Sequence, residues 1–124
     1  MAKLLLVEDD ESTREAYAIA LGHAGFRVKE AAHGQDALAA MLAESFDLVV
    51  LDLMMPVMDG VAFLEVIRSY SRWRDVPVVI VTALASDDED LVRRLSVARV
   101  FHKTRFALGE LIDCARKLVP TPPN

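Results

Sequence analysis

Cysteine is nearly absent. Cys114 stands alone among 124 residues, so no internal disulfide can form, and such usage suits a reducing cytoplasm. Long hydrophobic runs are missing too. After Lys3 the first apolar stretch, "LLLV" at 4–7, runs straight into acids, which is far too short for a signal-peptide core or a membrane span. There is no surplus of positive charge: 14 Lys and Arg face 19 Asp and Glu, a net charge of −5. That balance argues against nucleic-acid binding through a general basic field. Internal repeats are lacking, and the only biased segment is the tail "PTPPN". What remains is the profile of a soluble, cytoplasmic protein. Its composition, 53% hydrophobic and 27% charged, suits one compact domain with a substantial core.

Three segments are continuously apolar: "LLLV" at 4–7, "LVVL" at 48–51 and "VVIV" at 78–81. Strands covered on both faces read this way. Two others, "FRVKEA" at 26–31 and "RVFHK" at 99–103, alternate and suit half-exposed edge strands. Helical stretches lie between them. Residues 12–25 open with Ser12 and Glu15 at capping-box spacing and close near Gly25. Stretches 34–44 and 60–70 follow, then 86–95 with a second capping-box pair, Ser86 and Glu89. The last, 107–119, sets Leu108, Leu111, Ile112, Ala115 and Val119 on one face. Five alternations of strand and helix predict an α/β domain, doubly wound around a parallel sheet. Residues 1–119 form the expected domain. Residues 120–124 are a terminus or the start of a linker.

Chemistry concentrates where the strands end. The first ends in Glu8, Asp9 and Asp10, the third in Asp52, the fourth in Thr82 and the fifth in Lys103. Open α/β sheets bind ligands at that edge. Two carboxylates about 4 Å apart repel by roughly 4 kcal/mol at an effective dielectric near 20, so such a cluster takes up protons or holds a cation. Oxygen ligands without histidine or cysteine favour Mg²⁺ over zinc. A carboxylate beside the metal can act as a nucleophile and become an aspartyl phosphate. Thr82 and Lys103 would then balance charge on the phosphoryl oxygens.

The motifs "LLLVEDDE", "DLVVLDLMMPVMDG", "PVVIVTA" and the lysine of "VFHKTRF" resemble the receiver domain of bacterial response regulators (CheY-like). The resemblance spans essentially the whole chain. It implies a flavodoxin-like (βα)5 fold with strand order 2-1-3-4-5. It also implies a phosphoacceptor at Asp52, Mg²⁺ held by Asp9, Asp52, the Met54 carbonyl and, through water, Glu8, with Thr82 following the phosphoryl group and Lys103 pairing with Asp52 or its phosphate. Pro56 and Gly60 would shape the loop after the third strand. The implied partners are a histidine kinase or phosphotransfer protein and a downstream protein on the face of the fourth helix, fifth strand and fifth helix. A homodimer through that face is a further option. Direct contact with nucleic acid or membrane is not expected. The domain would catalyse only its own phosphorylation and dephosphorylation.

Two positions depart from the family pattern. Thr104 follows the lysine where proline is usual, so either a trans bond with a reshaped loop or a compensated cis bond is expected. Val100 stands where an aromatic residue usually reports phosphorylation, and Phe101 should point to the opposite face. These departures imply a non-standard output relay. Met54 and Leu84, apolar where polar side chains can orient an attacking water, imply slow self-dephosphorylation.

Milder readings stand beside these. His23, His33 and His102 read as surface or loop residues, Cys114 as partly buried and inert, and Trp73 as packing. Asp59 reads as a turn residue, and the acids at 87–90 as helix-start charge. Arg93, Arg94, Arg99, Lys103 and Arg105 fall in a stretch without acids, either a solvated face or a docking face for an acidic partner or a second copy. Two functional rivals remain. One is a phosphorylation-independent interaction module on a receiver fold. The other is an aspartyl-phosphate phosphatase, which Met54, in place of a second acid, argues against.

Overall fold

The computed structural model describes residues 2–54, 58–83 and 88–119. Its elements are β1 (Lys3–Val7), α1 (Glu11–His23), β2 (Arg27–Ala31), α2 (Gly34–Ala43), β3 (Leu48–Leu51), α3 (Gly60–Arg68), β4 (Val78–Thr82), α4 (Asp88–Leu95), β5 (Arg99–His102) and α5 (Leu108–Leu118). All four pairings are parallel, in the order β2-β1-β3-β4-β5. The continuously apolar segments are the three central strands and the alternating ones are the edges, as the sequence predicts. Expectations resting on Pro56, Leu84, Ser86, Asp87 and residues 120–124 lie outside the described residues.

The period of two in a strand divides the core. Leu5, Val7, Val49, Leu51, Val78 and Ile80 pack on one side of the sheet with Phe63, Leu64, Ile67, Trp73 and Leu91. Leu4, Leu6, Leu48, Val50, Val79 and Val81 pack on the other with Leu21, Phe101, Leu111 and Ala115. Val100 lies against the first side and Phe101 within the second, so the opposite orientation of these neighbours holds. On α5, Leu111 and Ala115 are buried, with Leu108, Ile112 and Val119 packed beside them. Trp73 is a core residue, and Cys114 is half-buried with its thiol pushed up by burial.

Helix starts differ in detail from the expected caps. Asp10, not Ser12, caps α1: its carboxylate accepts from the Thr13 N–H at 2.9 Å. A side-chain acceptor three residues before the N–H it satisfies is the essential geometry, and the helix simply begins earlier. At the other end Gly25, at φ 105°, supplies the left-handed residue beyond the cap. Asp59 caps α3 by accepting from the Ala62 N–H at 2.8 Å. His33 caps α2 through Nδ1, and His102 is a strand residue whose Nε2 lies 2.9 Å from Asp88 at the start of α4. Those two histidines therefore do more than decorate loops.

Arg68, at the end of α3, donates to the carbonyls of Leu95, Trp73, Arg74, Val76 and Ser96 at 2.8–3.3 Å. Ser96 sits at φ 55°, a conformation costing a non-glycine residue about 1–2 kcal/mol, and the guanidinium braces it. Arg68→Ala should cost about 2–3 kcal/mol because several carbonyls lose a charged donor together. Arg68→Lys should recover little of this, since an ammonium cannot span the same fork. Urea unfolding of the two variants checks both outcomes.

Candidate functional site

The register of β1, β3, β4 and β5 brings their C-terminal ends to one edge. Glu8 continues β1 and donates its N–H to the Ala31 carbonyl at 3.1 Å, and the Asp52 N–H reaches the Val7 carbonyl at 3.0 Å. The Lys103 N–H reaches the Thr82 carbonyl at 2.9 Å. These backbone bonds place four side chains from distant parts of the sequence around one point. Glu8, Asp52 and Thr82 are buried, Lys103 is half-buried and Asp9 is exposed.

Glu8, Asp9 and Asp52 each offer a carboxylate oxygen within 4.8 Å of the others. An all-oxygen, multiply charged set of this kind suits a hard divalent cation. The Lys103 ammonium lies among these acids, donating to Glu8 and, at 3.2 Å, to Asp52. The sequence reading expected Asp52 as its partner, and the structure adds Glu8. Burial pushes the Glu8 carboxyl up to about 7, against the pull of the Lys103 hydrogen bond. Burial works to lower Lys103, but its hydrogen bonds and the charges of Glu8 and Asp52 outweigh this and hold the ammonium above its ordinary range. The acids and the lysine are thus mutually dependent.

The backbone completes the site. The Met54 N–H donates to Asp52 Oδ1 at 3.1 Å, and the Met54 side chain is exposed. The Asp10 N–H donates to Glu8 Oε2 at 3.2 Å. No cis peptide bond occurs among the described residues, so Lys103–Thr104 is trans, one of the two outcomes expected without proline. Part of the basic stretch is engaged: Arg93 and Arg94 pair with Asp90 at 3.7 and 3.3 Å, and Arg99 lies 4.7 Å from the Phe101 ring centre.

Sequence reasoning missed three residues near the site. Arg14 donates to the Glu8 carbonyl at 2.9 Å and pairs with Glu30 at 3.4 Å, bracing the acidic turn from behind. Tyr17 and Phe106 meet edge to face at a centroid distance of 6.3 Å beside Lys103's loop. Helical spacing alone puts Arg14 and Tyr17 near the same face, but it does not say what they meet.

The profile of the response regulator receiver domain matches residues 4–106. The transcriptional regulatory protein AfsQ1 of Streptomyces coelicolor is 35% identical over 119 residues, covering 96% of this chain and 51% of that protein. The chain thus spans about half the length of this relative, and only 35% of PfeR of Pseudomonas aeruginosa. Among solved structures, the non-phosphorylated HemR receiver domain of Leptospira biflexa matches with a TM-score of 0.85 and 32% identity, covering 100% of this chain and 99% of that one. The response regulator TrrA of Thermotoga maritima, in complex with Mg²⁺ and BeF, matches at 0.84 with 28% identity, covering 96% and 100%. With five parallel strands in this order, carboxylates and a lysine at one edge, and a profile match over most of its length, the chain belongs to the response regulator receiver domain family.

Proposed function

We propose that this chain is a phosphoacceptor switch of two-component signalling, modified on Asp52 in the presence of Mg²⁺. The observation that carries the reading is the convergence of Glu8, Asp9, Asp52 and Lys103 at one sheet edge. The chemistry of the donor set fits the metal. Asp9, Asp52 and the Met54 carbonyl would hold it, with Glu8 acting through water, and when bound it would neutralise charge on phosphoryl oxygens.

In the step itself an Asp52 carboxylate oxygen attacks the phosphorus of a phosphohistidine on a histidine kinase or phosphotransfer protein. An O–P bond forms, the N–P bond breaks, and the imidazole keeps the electron pair. Burial of Asp52 limits competition from bulk water, its hydrogen bond from the Met54 N–H orients the carboxylate, and Lys103 remains as counter-charge for the product. The Thr82 hydroxyl would hydrogen-bond a phosphoryl oxygen. The domain acts on itself and turns over no separate metabolite.

Residues 1–119 form the receiver domain in this reading, and 120–124 a tail or linker. No helix among the described residues is long and apolar enough to cross a membrane; the match to the receiver-domain family is what supports a cytoplasmic setting in this reading. The α4–β5–α5 face would meet a downstream protein or a second copy, and direct binding to nucleic acid by this domain is not part of the reading. With Val100 replacing an aromatic gate, the relay to that face is non-standard.

Intact mass after incubation with acetyl phosphate tests the central step. A single phosphoryl adduct should form with Mg²⁺, fail with chelator and fail in Asp52→Asn. An adduct that persists in Asp52→Asn would overturn the assignment. No adduct from either a small phosphodonor or a cognate kinase would favour the interaction-module reading.

A further inference from the structure

Lys103 must be held over the acids, yet the segment that follows lacks a stiffening proline, and Thr104, Arg105 and Ala107 are exposed. Backbone bonds fix parts of it. The Lys103 N–H reaches the Thr82 carbonyl, the Arg105 N–H reaches the His102 carbonyl at 2.9 Å, and the Ala107 N–H reaches the Glu110 carboxylate at 3.1 Å. From this exposed segment Phe106 turns inward. Its ring lies 5.4 Å from that of Phe101 with an interplanar angle of 31°, and 6.3 Å from that of Tyr17 at 80°. Phe101 precedes Lys103 by two residues on β5, so the stacked pair brackets the lysine from both sides of the chain. Tyr17 lies on α1, the helix capped by Asp10 and carrying the Arg14 that grips the Glu8 carbonyl. The three rings therefore join the strand and loop bearing the lysine to the helix that follows the acids.

We propose that Phe106, wedged between Phe101 and Tyr17, is a positioning residue that sets the reach of Lys103 to Asp52 and Glu8 in place of a rigid residue after the lysine. Aromatic rings are suited to this because their edge-to-face and offset contacts fix both distance and angle. Tyr17 is close enough that, beyond the upward push of burial on its phenol, the charges of Lys103, Glu8 and Asp52 all act on it. The kinetic consequence rests on the phosphoacceptor reading, whereas the structural consequence does not.

The test uses the full chain with Phe106→Ala, Phe106→Tyr, Lys103→Ala and the double variant Lys103→Ala/Phe106→Ala. With acetyl phosphate and saturating Mg²⁺, Phe106→Ala should form adduct about tenfold more slowly, because small displacements of a charge-stabilising group are costly in rate. Phe106→Tyr should restore most of the rate. In the Lys103→Ala background, loss of the Phe106 ring should slow the reaction no further. A wild-type rate in Phe106→Ala, or the same tenfold loss without the lysine, would overturn the proposal. Amide exchange without phosphodonor provides the second arm. Residues 103–105 should exchange faster in Phe106→Ala while β3 and α3 do not change, and unchanged exchange at 103–105 overturns the clamp. Should the wild type take no adduct from acetyl phosphate or from a cognate kinase, the phosphoacceptor reading falls and the exchange arm alone decides.

Discussion

Gly60→Ala is expected to lower the stability of the fold by about 3 kcal/mol, the upper range for forced overpacking, and to slow phosphoryl uptake with it. A Cβ at this position would stand 2.5 Å from the Asp52 carbonyl oxygen and 2.6 Å from Leu53 Cα. Both are backbone atoms, so no side chain can swing away to make room. The Gly60 N–H also donates to the Leu53 carbonyl at 3.0 Å, drawing the start of α3 against the peptide that carries Asp52. The glycine is thus required by close approach and not by its torsion angles. Either α3 retreats and opens the core around Phe63 and Ile67, or the Asp52 peptide shifts and the site deforms. Gly22→Ala in α1 is the contrasting case. A Cβ there meets nothing within 4 Å, and a helical glycine replaced by alanine should add up to about 1 kcal/mol. Thermal melts should therefore separate the two variants in opposite directions, with Gly60→Ala lower by on the order of 10 °C. Equal stability of Gly60→Ala and wild type would mean that the α3–Asp52 contact relaxes freely.

The second large effect is a pH dependence of the metal-free protein. Glu8 ordinarily titrates at 4.5 and in the folded chain at about 7, chiefly because burial disfavours its charge. The native state therefore holds this proton more tightly than the unfolded one. The resulting stability is fully present below about 4.5 and is lost as pH rises through 7, a decline of about 3 kcal/mol at 1.36 kcal/mol per unit. Lys103 is raised as well, so its contribution stays in place throughout this window and fades only in strong base. Asp10 and Glu44 are lowered, the first mainly by hydrogen bonds from Thr13 and the second by Lys3. Their contributions are present above their ordinary values and are lost toward lower pH. Because Glu8→Gln leaves both in place, they cancel when the two proteins are compared. Without Mg²⁺, wild type should lose stability relative to Glu8→Gln between pH 4.5 and 8 in urea titrations. With excess Mg²⁺ the gap at pH 8 should close, since a cation compensates the ionised acid. A flat difference in metal-free buffer would show that the Lys103 contact compensates Glu8 at every pH.

Much of this was legible in the sequence because the informative residues are short-range patterns. Leu48–Leu51 and Val78–Val81 announce strands covered on both faces, and the alternation at 26–31 and 99–103 announces edges. Four acids, one hydroxyl and one amine following strands locate the chemistry, because strand ends in a parallel sheet converge. What escaped depends on distance through space. Ser12 has a good capping partner in sequence, but Asp10 wins because the helix starts one turn-fraction earlier, directly after the acidic turn. His102 reads as a loop residue until α4 brings Asp88 beside it. Arg68 carries no local sign that five carbonyls from two separate loops will surround it. Lys103 reads naturally as the partner of Asp52, yet Glu8 is 95 positions away and only the pairing order of β1, β3, β4 and β5 makes the contact possible.

The division of the interior by the sheet has a consequence for how such a protein can change over time. Leu4 and Leu5, Val49 and Val50, Val100 and Phe101 are neighbours in sequence but belong to separate interiors. Substitutions couple strongly when side chains share a cavity and add nearly independently when they do not. A lineage can therefore rebuild the compartment under α2, α3 and α4 while leaving the one under α1 and α5 almost untouched, and the reverse. The shared structure between them is the row of strand ends where Glu8, Asp52, Thr82 and Lys103 meet. That arrangement lets the outward faces diversify toward new associations on two separate schedules, while the row of strand ends between them is inherited intact.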